Sequence, residues 1–117
     1  MSAPVVMISP DATIYDAAKL MGQKKCGALV VLKEEKLVGI ISERDIILKV
    51  LSQGKDYKMV KVGDIMVRNV YTVSPDATLL DISKMMNKYR IRHAIIMENG
   101  KVVGIITARD LIDMVAG

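Results

Sequence analysis

The strongest constraint on this chain is an internal repeat that stays in register over most of its length. Ser9-Pro10-Asp11-Ala12-Thr13 returns intact as Ser74-Pro75-Asp76-Ala77-Thr78. At the same offset Val38-Gly39-Ile40-Ile41 meets Val103-Gly104-Ile105-Ile106, Arg44-Asp45 meets Arg109-Asp110, and Val50 meets Val115. A register kept that long without insertion indicates duplication of one supersecondary unit. The chain has 117 residues, so each copy has about 55, too few to cover a sheet on both faces alone. The copies are therefore expected to pack together with pseudo-twofold symmetry.

Each copy reads as β-α-β-β-α. Extended segments at Val5–Ile8 and Val70–Val73 end at the Ser-Pro-Asp turns. Ile14, Ala17, Ala18 and Met21 then recur at helical spacing, as do Leu79, Ile82, Met85 and Met86. Apolar strands follow at Ala28–Leu32 and Leu37–Ile41, and again at Ala94–Met97 and Val102–Ile106. Their Val and Ile content predicts burial on both faces. Asn99-Gly100 joins the second pair of strands with residues that tolerate positive φ, the strongest short hairpin signal. Glu34-Glu35 stands in the first copy and predicts a different turn there. A last helix opens near Ser42 or Thr107 and carries Ile46, Ile47 and Val50, or Leu111, Ile112 and Val115. The fold class is thus α/β in the mixed α+β sense. Residues 1–51 make the first repeat, 52–61 a polar connecting loop containing Gly54, and 62–117 the second repeat.

Composition bounds the partners. With no Phe or Trp and nine Met, the core must be built from Val, Ile, Leu and Met, which fills irregular gaps. A formal net charge of +4 suits a phosphate-bearing ligand and equally the solubility margin of a small protein. There is no Lys/Arg run of the kind that makes a nucleic-acid arm, and Tyr15, Tyr57, Tyr71 and Tyr89 form no obvious stacking ladder. Cys26 is alone, which excludes an internal disulfide and fits a reducing compartment. Its apolar neighbours read it as a small packed residue rather than a reactive thiol. Met1-Ser2-Ala3-Pro4 lacks the features of a signal peptide, and no apolar run approaches the roughly 20 residues of a bilayer span. A cytoplasmic protein with no membrane partner is expected.

Four times the chain places a hydroxyl residue three positions before an aspartate: Thr13…Asp16, Thr78…Asp81, Ser42…Asp45 and Thr107…Asp110. Each falls at a helix start, where the hydroxyl accepts from an orphan N–H and the carboxylate accepts from the cap's own N–H. That suffices for Thr13 and Thr78. At Ser42 and Thr107 a second reading stands beside the cap. Both sit where an apolar strand hands over to a helix, and such junctions border ligand crevices in α/β folds. A carboxylate there can accept hydrogen bonds from a vicinal diol, as an acidic residue does with the ribose of dinucleotides.

Gly39-Ile40-Ile41-Ser42-Glu43-Arg44-Asp45 and Gly104-Ile105-Ile106-Thr107-Ala108-Arg109-Asp110 both resemble the Gly-h-h-Ser/Thr-x-x-Asp signature of CBS domains, where h is hydrophobic. Lys61-Val62-Gly63-Asp64-Ile65-Met66 is similar to the lead-in segment of that family, and the Ser-Pro-Asp-Ala-Thr turns match as well. The resemblance covers nearly the whole chain and implies a tandem CBS pair, or Bateman module, with two pseudo-symmetric clefts. It also implies a disc-shaped homodimer and an adenosine-containing ligand: AMP, ADP, ATP or S-adenosylmethionine. By the same resemblance Ser42 with Asp45, and Thr107 with Asp110, contact the ribose. The stretch before the hairpin often supplies phosphate ligands in nucleotide-binding relatives. Here that stretch is Arg90-Ile91-Arg92-His93 in the second copy and Lys25-Cys26-Gly27-Ala28 in the first. Arg90, Arg92 and His93 are therefore candidate phosphate ligands, with Arg44 and Arg109 as further candidates, and the two clefts are expected to be unequal. The first copy has no counterpart of Val62–Met66, since only Met1–Pro4 precede its first strand. Either the chain is trimmed there, or its first half closes less completely.

Catalysis finds no constellation to carry it. His93 is the lone histidine, so no His-rich metal site can be assembled within one chain, and neither a Gly-rich phosphate loop nor a Gly-x-Ser-x-Gly elbow is present. No catalytic residue, metal or required cofactor is expected, and the regulated target must be another, unknown protein. The rival readings are a structural dimerisation scaffold, whose hydroxyl–aspartate pairs are caps alone, and nucleic-acid binding, which the scarcity of aromatics opposes.

Overall fold

Each Ser-Pro-Asp turn ends a short strand and launches a helix. The computed structural model describes residues 5–116. In it β1 (Met7–Ile8) runs into Ser9, whose Oγ accepts from the Asp11 N–H at 3.1 Å, and Thr13 then caps α1 (Ile14–Lys24). The same steps recur from β4 (Thr72–Val73) through Ser74, whose Oγ accepts from Asp76 N–H at 3.2 Å, to α4 (Leu79–Tyr89) capped by Thr78. Both helices end on a residue in the left-handed region, Lys25 at φ 54° and Arg90 at φ 55°. The turn that follows leads into a hairpin: β2 (Ala28–Lys33) with β3 (Lys36–Ser42), and β5 (His93–Glu98) with β6 (Lys101–Thr107).

Two three-stranded sheets result, ordered β1-β2-β3 and β4-β5-β6. The first strand of each lies parallel to the second, with Met7 opposite Val30 and Thr72 opposite Ile95, and the hairpins are antiparallel. Helices follow each hairpin: α2 (Glu43–Ile46) after β3, and α5 (Ala108–Ala116) after β6. The chain divides into two compact units, Val6–Asn69 and the part that begins at Val70.

Helical spacing picks out the core faces, with exceptions. Ile14, Ala17 and Met21 of α1 and Ile82 and Met86 of α4 are buried, whereas Ala18 and Leu79 face out. In the first unit these pack with Leu29, Val31, Ile41, Ile46 and Val50. In the second, Ile82 and Met86 pack with Ala94, Ile106 and Leu111. The opposite sheet face is also buried at its centre, at Val30, Ile40 and Ile95, as the Val/Ile-rich strands predict, but Val103 on β6 is half exposed.

Two expectations are corrected. Glu34 and Glu35 do not make a different turn: both take positive φ, 51° and 67°, the same conformation as Asn99 and Gly100 at 52° and 79°. The hairpin register, Lys33 opposite Lys36 as Glu98 is opposite Lys101, leaves two residues to close the loop and dictates that turn whatever they are. The last helix of the first copy is not one continuous α-helix. After α2 it widens into a π-helical turn, Ile47–Leu51, which buries Val50 but leaves Ile47 exposed. In the second copy Leu111 is buried, while Ile112 and Val115 are exposed.

Residues 52–61 are no slack tether. The carbonyls of Val60 and Tyr57 accept from the Ile14 and Tyr15 N–H groups, both at 2.9 Å, supplying partners for the otherwise orphaned first turn of α1. The segment continues into α3 (Val62–Ile65), where the Lys61 N–H donates to Asp64 at 2.9 Å, and into Val67, which pairs with Ile40. Val62, Ile65 and Met66 thus join the core of the first unit. The tyrosines meet in pairs: Tyr15 and Tyr57 at 6.0 Å between ring centroids, and Tyr71 and Tyr89 stacked at 4.4 Å. The position of a lead-in segment for the first copy falls on residues 1–4, outside the described residues. Among those described, no helix is long and apolar enough to cross a membrane.

Candidate ligand-binding site

All four hydroxyl–aspartate pairs close capping boxes, but in two settings. At Thr13–Asp16 and Thr78–Asp81 the reciprocal bonds of 3.1–3.2 Å are exposed to solvent. Ser42–Asp45 and Thr107–Asp110 are partly buried. Ser42 N–H donates to Asp45 Oδ2 at 2.9 Å and Asp45 N–H to Ser42 Oγ at 3.2 Å. Thr107 N–H donates to Asp110 Oδ2 at 2.8 Å and Asp110 N–H to Thr107 Oγ1 at 3.1 Å. Such a box stabilises a helix start by about 1 kcal/mol. It also fixes the carboxylate in one orientation at the strand end.

What surrounds each pair is set by the hairpin register. Ser42 lies opposite Ala28, and Thr107 lies opposite His93. Directly opposed residues of an antiparallel pair project to the same side. That side carries Val30 and Ile40 in the first sheet and Ile95 and Ile105 in the second, opposite the residues that meet the helices. Each pair therefore stands at the edge of an apolar sheet face, and in the second copy His93 stands with it. The sequence reading set His93 before the strand; it is the first residue of β5, because the register with Thr107 continues one residue further than the apolar run.

The remaining candidates separate. Arg92 precedes His93, is exposed, and its carbonyl accepts from Ala108 N–H at 2.9 Å, which ties it to the residue after Thr107. Arg90 is the exposed left-handed cap of α4. Arg44 is exposed on α2. Arg109 is exposed on α5, and its Nε lies 3.2 Å from Asp113 Oδ1. In the first copy the positions of Arg92 and Ala108 are held by Gly27 and Glu43. There Gly27 carbonyl accepts from Glu43 N–H at 2.9 Å, and the Glu43 carboxylate lies so close that a Cβ on Gly27 would come within 2.7 Å of Oε1. The first strand end thus carries an acidic residue, Glu43, and the second a basic one, Arg92, at different positions of the repeat.

Sequence reasoning missed Lys49. Its ammonium donates to the Ile65 carbonyl at 3.0 Å and lies 3.1 Å from Asp45 Oδ1. The signal was present, an aspartate and a lysine at i,i+4 on one helix. The corresponding residue of the second copy is Met114. Cys26 is half-buried rather than fully packed, and with Met21 and Ile46 it lines a cavity of about 500 Å³ between α1 and α2, into which Glu43 also projects. That cavity includes none of the hydroxyl–aspartate pairs. Among the described residues no group of three or more His, Cys, Asp or Glu is placed to hold a metal ion.

Comparison with known proteins places the fold in a family. The family model of the CBS domain matches residues 1–52 and again 62–117. The CBS domain-containing protein CBSX3, mitochondrial, of Arabidopsis thaliana is 39% identical over 107 residues, 87% of this chain. The chain spans 52% of that protein's length and 61% of the next relative's. Among solved structures, that of the CBS domain of NE2398 superposes with a TM-score of 0.90 at 35% identity, covering 99% of this chain and 91% of that one. The CBS domain pair of protein MJ0100, solved in complex with 5-methylthioadenosine and S-adenosyl-L-methionine, gives a TM-score of 0.87 at 32% identity, covering 100% and 92%. With its repeated strand–helix–hairpin–helix units, its capped signature aspartates and both halves matching the family model, this chain belongs to the CBS-domain family.

Proposed function

We propose that the chain is a regulatory module that binds an adenosine-containing ligand through the second repeat. Asp110 takes the ribose diol, Thr107 assists, and Arg92 and His93 face the phosphates. The observation that carries this reading is the placement of Thr107 opposite His93 with Arg92 next to it, which sets a carboxylate, a hydroxyl and basic groups at one strand end. MJ0100, whose CBS pair is similar in fold, binds two adenosine derivatives, one of them S-adenosyl-L-methionine. The basic groups here favour a phosphorylated ligand, AMP, ADP or ATP, over the sulfonium compound. In the first repeat the same reading assigns Ser42 and Asp45 to a second diol position, without comparable phosphate ligands.

Such a module regulates by differential affinity: a ligand shifts an arrangement of repeats only as far as it binds one arrangement better. The module acts through another protein rather than by chemistry of its own. We further propose a homodimer as its working form. The cytoplasm suits the single cysteine, although the Arabidopsis relative is named mitochondrial.

Calorimetric titration of ligand-stripped protein with AMP, ADP, ATP and S-adenosylmethionine tests the reading. Saturable binding is expected, weakened by tenfold to a hundredfold in Asp110→Ala, as for loss of a charged hydrogen-bond acceptor worth about 1.5–3 kcal/mol. Asp110→Asn keeps an acceptor for the cap and serves as the folding control. Absence of heat with every ligand, from folded protein, would leave the dimerisation scaffold as the function.

A further inference from the structure

Asp45 and Asp110 occupy equivalent positions in the two signatures but are not equally available. Oδ2 of Asp45 receives both the backbone N–H and the Oγ–H of Ser42, each at 2.9 Å. Oδ1 is met by the Lys49 ammonium at 3.1 Å, and the Asp45 side chain is only 14% exposed. A vicinal diol held by a carboxylate needs acceptor positions that face outward, and here both oxygens are already engaged from within the fold. Lys49 is also no loose surface lysine. Its second partner is the carbonyl of Ile65 in α3, so the ammonium bridges the start of the signature helix and the connecting segment. The π-helical turn Ile47–Leu51 projects it there while Val50 of the same turn points into the core.

Nothing equivalent can form in the second repeat. Met114 stands where Lys49 stands, on a helix that stays α-helical throughout, and a thioether has no proton to donate. The neighbouring charges differ in the same sense, Glu43 beside Gly27 in one copy and Ala108 beside Arg92 in the other.

Building on the ligand-binding reading of these pairs, we infer that Lys49 is a clasp that closes the first repeat to ligand. The module then carries one adenosine site per chain, on the second repeat. Releasing the clasp opens the first site to an adenosine compound without phosphate, because Gly27 and Ala28 stand there in place of Arg92 and His93 and offer an anion no side-chain donor.

The test counts sites by calorimetry, with adenosine and AMP as probes, on the full chain and on Lys49→Met, which copies the residue of the second repeat. Lys49→Gln is run in parallel, and thermal melting establishes that each variant is folded; the lysine side chain is 41% exposed, so its loss leaves no buried void. The expected result is one site in the parent, removed by Asp110→Ala. Lys49→Met should show a second site for adenosine, at least tenfold tighter than any first-repeat binding in the parent, and Asp45→Ala should remove it. Two sites in the parent, or a single parent site removed by Asp45→Ala, would overturn the clasp while leaving ligand binding itself intact. One site in both parent and variants would do the same. A site that appears only on releasing Lys49 would uphold the clasp and overturn the assignment of the second repeat. No site in any protein would overturn both.

Discussion

Replacing Gly39 with alanine tests whether the glycine that opens the signature is there for space rather than for backbone freedom. Gly39 sits in β3 with its partner Val31 on one side and the connecting segment on the other. A Cβ built on it would lie 2.8 Å from the Val67 carbonyl oxygen, 2.8 Å from Met66 Sδ and 3.0 Å from Met66 Cγ. The thioether can swing aside, but the carbonyl cannot. Val67 is tied to Ile40 by two backbone bonds, Ile40 N–H to Val67 carbonyl at 3.0 Å and Val67 N–H to Ile40 carbonyl at 2.8 Å. Alanine must therefore lift the segment off the sheet. Overpacking costs about 1–3 kcal/mol, and weakening the two bonds adds about 1 kcal/mol. Against this the alanine restricts the unfolded chain, which returns about 0.4–1 kcal/mol. A net loss of about 2–3 kcal/mol follows, and for a domain of this size about 4 °C of Tm accompanies each kcal/mol, so melting should fall by roughly 10 °C. Gly22→Ala in α1 is the matched control. A Cβ there meets nothing within 4 Å, and helix propensity alone should raise stability by about 0.5–1 kcal/mol. Thermal melting followed by circular dichroism, with urea titration for the free energies, reads both. If Gly39→Ala melts within a degree or two of the parent, the close passage of Val67 over β3 is not what requires glycine.

The remaining predictions concern the hairpin and the helix faces. Because Glu34 and Glu35 both hold positive φ, the double substitution Glu34→Asn, Glu35→Gly should stabilise the first hairpin by about 1 kcal/mol, read as a Tm rise of a few degrees; a fall would mean that the glutamates make contacts outweighing the backbone strain. Ile112 and Val115 are 63% and 82% exposed on α5, and in the proposed homodimer such side chains lie at the interface. Ile112→Asp with Val115→Asp should leave the fold intact by circular dichroism and shift the mass measured by light scattering from dimer to monomer, and an unchanged dimer mass would assign the contact to another face.

Most of the scaffold was legible because it is written in local chemistry. The Ser-Pro-Asp turns, the capping hydroxyls and the apolar periodicity each act within a few residues, so reading them needs no knowledge of the partner strand. The errors share a different cause. Glu34-Glu35 carries no turn preference of its own, and its conformation is imposed by the register of the strands it joins. His93 reads as lying outside the strand because a polar residue ends the apolar run, yet cross-strand pairing with Thr107 carries β5 through it. The polarity of Ser52–Lys61 shows that it is a connection but not that its carbonyls meet the first turn of α1. For the site, the hydroxyl–aspartate pairs could be named from the signature. The Lys49 contact with Ile65 spans 16 residues and a change of helix type, which no spacing rule anticipates.

The divergence between the copies bears on function as much as their likeness does. Positions that build the scaffold coincide: the four capping pairs, the left-handed helix ends at Lys25 and Arg90, the two-residue turns, and Gly39 with Gly104 at equivalent places in the hairpins. The copies differ at many positions, and those at the strand ends are among them: Gly27, Ala28, Glu43 and Lys49 in the first stand where Arg92, His93, Ala108 and Met114 stand in the second. The proposed ligand, with a diol at one end and an anion at the other, distinguishes the two ends: basic residues, Arg92 and His93, precede and pair with the Thr107 strand end, whereas Gly27 and Ala28 hold those positions in the first copy. Asp45 held by Lys49, where Asp110 has Met114, is the difference that the proposed single-site sensor requires and that a symmetric brace does not.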